Sequence, residues 1–162
     1  MNQRLFMTAV SALVLAMTSL SVGANTIEGQ LNGEPRDWHV LQESEASSVN
    51  FQEIMPGMIS YTIQGHAEPQ YAVPGTLSLN FMDMNGSLGE PEVSFFPNAT
   101  LMPHYGESTT RAWELDVKDN ADGSKQLTGH FIGTLIMVDH SSSNPDDSME
   151  VEVRFEVQAM PE

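Results

Sequence analysis

The sequence predicts an all-β fold: an antiparallel β-sandwich or curled barrel of about eight to ten strands, behind a cleaved N-terminal signal peptide. Three observations carry this expectation. Apolar residues alternate with polar ones at period two along most of the chain, as a strand with one buried face requires. Gly, Pro, Asn and Asp interrupt the alternation at short intervals, marking turns. After the first two dozen residues there is no helical stripe, heptad or internal repeat.

The leader comes first in chain order. Met1-Asn2-Gln3-Arg4 carries one positive charge and no acid, an uncharged and largely apolar run follows from Leu5 to about Leu20, and Val22 and Ala24 offer small residues before a cut. That order is the pattern of a secretory signal, and the run is short for a membrane span of about 20 residues. The predicted organisation is a signal peptide over 1–24 and a single β domain over 25–162. The mature form has no predicted membrane span and a periplasmic or extracellular destination. A domain of this length buries roughly two-thirds of its unfolded surface and folds without a staple. With zero cysteines in the chain, no disulfide, thiol nucleophile or thiolate metal centre is available.

The strands follow in order. Thr26 to Leu31 and Pro35 to Leu41 flank Asn32-Gly33, the pair best suited to a tight hairpin turn. Met58 to Gly65 places Ile59, Tyr61 and Ile63 on one face, and Leu77, Leu79 and Phe81 alternate with Ser78, Asn80 and Met82. Six prolines between Pro56 and Pro103 predict edge strands and loops in the middle third. Trp113, Leu115 and Val117 form the apolar row of a strand over 109–118, and Val151, Val153, Phe155 and Val157 that of a strand over 149–159. Between them, Leu127 to Val138 is apolar on both rows, which predicts a central strand covered on both faces. Gly129 and Gly133 lie on its Phe131 row, where a missing side chain admits a bulky neighbour. Asp119 to Gly123 predicts the turn before this strand, and Asp139 to Ser148 a longer loop after it.

Charge excludes more than it identifies. The net charge is −16, and loss of Arg4 with the leader leaves five cations against 22 acids. Such a surface repels phosphate backbones and anionic lipid, so neither nucleic acid nor a membrane surface is an expected partner.

Candidate chemistry is sparse. There is no G-x-S-x-G elbow and no H-E-x-x-H helix, and His39, His66, His104, His130 and His140 fall in separate segments. Met82 and Met84 on a strand, with Met102 and His104 in a loop, supply the thioether and imidazole donors that copper(I) prefers. Asp139, Asp146, Asp147 and Glu150 gather hard oxygen donors suited to calcium in the longer loop. Trp38, Tyr71, Phe96, Tyr105 and Trp113 would stack on a sugar or peptide wherever several are exposed together. Trp113 is in phase with the core, and Phe96 is out of phase with Val93 and Phe95.

The expected function is an exported, non-enzymatic binding or interaction module for an unidentified protein or small ligand. The alternatives are periplasmic metal handling, with copper or calcium as cofactor through the residues above, and an envelope hydrolase with an unrecognised site. An exposed edge strand would also let a second copy complete the sheet.

Overall fold

A computed structural model of the chain describes residues 25–43 and 47–162, so the predicted leader lies outside the described residues. Ten strands follow in order: β1 Thr26–Leu31, β2 Glu34–His39, β3 Val49–Met55, β4 Met58–Gly65, β5 Thr76–Met84, β6 Ser87–Leu88, β7 Glu92–Phe96, β8 His104–Asp119, β9 Lys125–Asp139 and β10 Ser142–Pro161. No helix occurs among the described residues, and none is therefore long and apolar enough to cross a membrane.

Turn chemistry sets the hairpins. Asn32 and Gly33 take φ of 50° and 79°, the left-handed pair that joins β1 to β2 in the register Leu31 opposite Glu34. Between β8 and β9, the Asn120 amide donates to the Ser124 carbonyl (2.9 Å), and Asp122 accepts from the Ser124 amide (3.0 Å) and hydroxyl (2.6 Å). Those bonds hold the Asp122 carboxyl below the usual carboxylate range.

All ten strands belong to one sheet. β10 is its hub. It pairs antiparallel with β9 from Ser142 to Ala159 and with β1 through Val151 to Glu156. At Met160 and Pro161 it runs parallel to Asn50 and Phe51 of β3, which makes the sheet mixed rather than purely antiparallel. From β3 the pairing continues through β4, β5, β7, β8 and β9, and β9 returns to β10. The ladder thus closes on itself. Register shifts in β3, β8 and β10 supply the local bends that long strands need to curl.

The inward rows form one apolar cluster. It joins Ile27, Tyr61, Ile63, Leu79 and Val93 to Leu127, Phe131, Leu135, Val153 and Val157, each at 1 % exposure or less. Tyr61 stacks on Phe81 with centroids 5.0 Å apart, and Trp113 packs edge-on against Phe81 at 5.3 Å. Trp113, Leu115 and Val117 pack against this cluster from the edge rather than within it. A side chain at Gly129 would meet Phe155 Cζ at 2.3 Å, and one at Gly133 would meet Phe131 Cζ at 2.4 Å. The bare positions on β9 are therefore where core rings sit.

Three expectations need correction. The segment 139–148 is not a long loop: His140-Ser141 turns the chain in two residues and β10 begins at Ser142, with an irregularity between Asn144 and Ser148. Ser142 and Asp139 are already partners across that turn, so strand pairing claims residues that composition assigns to a loop. The middle third is not peripheral either. β4 and β5 are paired on both sides, because their prolines lie between strands rather than within them. Finally, Ile132, Ile136 and Val138 on the second row of β9 are half-buried rather than covered, since neighbouring strands shield an outward row only from its sides.

Candidate functional site

The outer faces of β4, β5 and β7 form the floor of a cavity of about 490 Å³, a size typical of small-molecule sites. Strand register builds that floor: Gln64 lies opposite Ser78 and Ser78 opposite Ser94, while Thr62 faces Asn80 and Thr76 faces Phe96. Alternation turns Tyr61, Ile63, Leu77 and Leu79 inward, which leaves Gln64, Ser78 and Asn80 on the outer face. Two proline-bearing segments, 67–75 and 97–103, wall it with Tyr71 and Leu101, both exposed. The first segment is anchored from below, where Trp38 Nε1 donates to the Gly75 carbonyl (3.0 Å) and the Gly75 amide to the Phe96 carbonyl (2.7 Å).

The polar groups of the floor are ordered. Thr62 Oγ1 donates to Asn80 Oδ1 (3.1 Å), and Asn80 Nδ2 donates to Ser78 Oγ (3.2 Å). Thr76 Oγ1 donates to the Ala72 carbonyl (2.7 Å) and so presents only lone pairs to His66 Nδ1, 3.2 Å away. Nδ1 therefore bears the hydrogen, and in the neutral ring Nε2 is left as an acceptor. His66 is 5 % exposed, and Nε2 has no partner among the described residues. An unmet buried acceptor costs about 1–3 kcal/mol. Tyr71 stands edge-on to the His66 ring at 5.3 Å, and Phe96 stacks on His104 at 5.2 Å.

A second depression, about 560 Å³, lies on the outer face of β1, β10, β9 and β8. Its charges are laid out by register: Glu28 opposite Arg154, Arg154 opposite His130 and His130 opposite Glu114. Glu152 lies 3.3 Å from Arg154 and 3.4 Å from His130. Arg154 thus pairs with Glu152 of its own strand, an exposed contact that contributes little, while the buried Nε2 of His130 has no hydrogen-bond partner among the described residues.

The copper candidates divide into two pairs. His104 Nδ1 lies 3.2 Å from Met102 Sδ beside the cavity. Met82 and Met84 project from the far end of β5, 37 % and 51 % exposed. Met84 is eight residues along β5 from Thr76, the partner of Phe96, hence about 25 Å from the Met102–His104 pair. The calcium candidates are likewise spread along strands. Asp139 Oδ1 accepts from the His140 amide (2.8 Å), and Asp147 Oδ1 accepts from the Tyr105 hydroxyl (2.9 Å). Burial first, and then that bond, push the Tyr105 hydroxyl above its usual pKa. Asp146 is exposed, with its own amide bonded to Asn144 Oδ1 (3.2 Å). Glu150 is held by Arg111 and by Thr134 Oγ1. Among the described residues, no three His, Asp or Glu side chains converge as a metal site.

Of the aromatic candidates, the fold brings Tyr71 and Phe96 to one cavity and buries Trp38. Sequence reasoning missed Gln64, His66, Thr76 and Ser78 as lining. Alternation marks Gln64 and Ser78 as outward, but register decides which outward residues are neighbours. No protein-family model, curated protein or solved structure matches this chain.

Proposed function

We propose that this protein is an exported, non-enzymatic binding module, a curled barrel that takes a neutral, hydroxyl-bearing ring such as a saccharide between segments 67–75 and 97–103. The observation that carries the reading is the meeting of exposed Tyr71 and half-buried Phe96 with an uncharged amide-and-hydroxyl floor in one cavity. Aromatic faces take the apolar side of a sugar ring, while Gln64, Ser78 and Asn80 offer both donors and acceptors to its hydroxyls. Apart from the His66 imidazole, the lining is hydroxyls, amides, aromatic rings and apolar side chains, a set suited to recognising a neutral ring.

The test is titration of the isotope-labelled protein with a panel of neutral mono- and oligosaccharides, followed by amide shifts. Binding should move resonances of Gln64, Ser78 and Asn80, and Tyr71→Ala should weaken it about tenfold, the loss of one stacking face and its buried area. Tyr71 is 46 % exposed, so its removal leaves the core intact. Absence of binding, or binding indifferent to Tyr71→Ala, would overturn the assignment. Intact mass of the exported protein should give a chain beginning at Asn25.

A further inference from the structure

Register assembles a group of methionines that spacing alone does not show. Met55 is paired with Met58 across the turn between β3 and β4, and Met58 is paired with Met84 across β4 and β5. Directly opposed residues share a face, with Cβ atoms about 4.5–5.5 Å apart, so Met55, Met58 and Met84 form one transverse row. Met82 stands two residues along β5 on the same face. Met55 is 53 % exposed, Met84 51 % and Met82 37 %, with Met58 half-buried between them.

The row is held from beneath by two linked turns. The Gly57 amide donates to Glu53 Oε1 (3.2 Å), and the Gly86 amide to Asp83 Oδ1 (2.6 Å). The turns are then tied to each other, since the Asn85 amide donates to the Gly57 carbonyl (2.7 Å). Gly57 has φ of +80°, a left-handed backbone that favours glycine at this closure. The backbone under three thioethers is thus preset, while each unbranched side chain keeps the freedom to turn its sulfur inward.

From this arrangement we propose that Met55, Met58 and Met84, with Met82 as an adjacent fourth donor, bind one copper(I) ion. Three neutral thioethers are a soft donor set, and soft ligands select copper(I) over the hard divalent cations that an acidic surface attracts. Each sulfur donates a lone pair, no bond breaks, no electron is transferred and no proton is released. The site stands apart from the cavity and does not depend on what the cavity binds.

The experiment is a competition of untagged protein against a chromogenic copper(I) chelator under anaerobic reducing conditions, at pH 7 and pH 5. One equivalent should be withdrawn from the chelator, and Met58→Leu with Met84→Leu should weaken binding at least about tenfold. Met102→Leu with His104→Ala should leave it unchanged. Affinity should vary less than about twofold between the two pH values, because a thioether has no proton to exchange, whereas an imidazole ligand would lose affinity on acidification. Silver(I) added to protein labelled at methionine methyls reads the wild-type chain directly, and the Met55, Met58 and Met84 methyls should shift. No withdrawal from the chelator, methyl shifts confined to other methionines, dependence on Met102 and His104, or a steep fall at pH 5 would each overturn the site.

Discussion

Replacing Gly129 with alanine tests whether the closed sheet is shaped by missing side chains on β9. The new Cβ would lie 2.3 Å from Phe155 Cζ, 2.8 Å from Phe155 Cε2 and 2.8 Å from the Glu114 carbonyl oxygen. Gly129 does not occupy the left-handed region, so the backbone itself accepts alanine and the penalty is steric. On unfolded-state entropy alone the change would stabilise by about 0.4–1 kcal/mol. Overpacking against a buried ring and a paired strand costs about 1–3 kcal/mol, and here it wins, because Phe155 is only 3 % exposed and has nowhere to retreat. Urea unfolding should therefore show destabilisation of about 1–2 kcal/mol, a drop in Tm of several degrees for a domain this size. Phe155→Leu alone should cost about 1–2 kcal/mol through lost burial. The double variant is the decisive measurement. Leucine has no atom at the ring's far edge, so part of the Gly129→Ala penalty should vanish, leaving a favourable coupling of about 1 kcal/mol. Costs that add within about 0.5 kcal/mol, or a Gly129→Ala protein as stable as the parent, would refute the reasoning.

Two further outcomes follow from the same structure. Burial first, then the Asp83 and Asp119 carboxylates, push the Tyr61 hydroxyl up to about 12. The folded state prefers the neutral phenol, so this stability is complete below pH 10 and is lost as pH climbs toward 12, amounting to about 2 kcal/mol there. Tyr61→Phe should flatten that alkaline limb in denaturation measured at successive pH values, and an unchanged limb would refute it. Millimolar calcium should leave the melting temperature unmoved. Asp147 and Glu150 are engaged by Tyr105 and Arg111, Asp139 accepts from the His140 amide, and among the described residues no three of these carboxylates share a centre. A rise of several degrees would contradict that geometry.

Much of the fold is legible in residue order because it rests on local chemistry. Asn32-Gly33 turns where its φ preferences demand, Thr26–Leu31 and Met58–Gly65 are strands as their alternation requires, and Lys125–Asp139 lies between the strands on either side of it in sequence. The short apolar stretches at Val49–Met55 and Glu92–Phe96 carry too little alternation to stand out. Asp139 to Ser148 misleads because polar, turn-prone residues also serve in an exposed, irregular strand whose partner across the turn holds it in the ladder. For the candidate site the limit is sharper. Tyr71 and Phe96 can be singled out as aromatics, and Met82 and Met84 as soft donors, yet nothing local says that Tyr71 meets Gln64 and Ser78.

By itself, then, the order of residues determined which faces of this chain seek burial, where it turns, and that it lacks the cysteine to be stapled. Those properties depend on neighbours a few positions apart. Tertiary structure alone decided that β10 also reaches β1 and β3 and so closes the ladder, that His66 is buried with one nitrogen unpartnered, and that Met58 stands between Met55 and Met84. Each of these depends on strand register, which is set by how the whole core packs: a slip of one residue would turn every outward side chain inward and dissolve both sites.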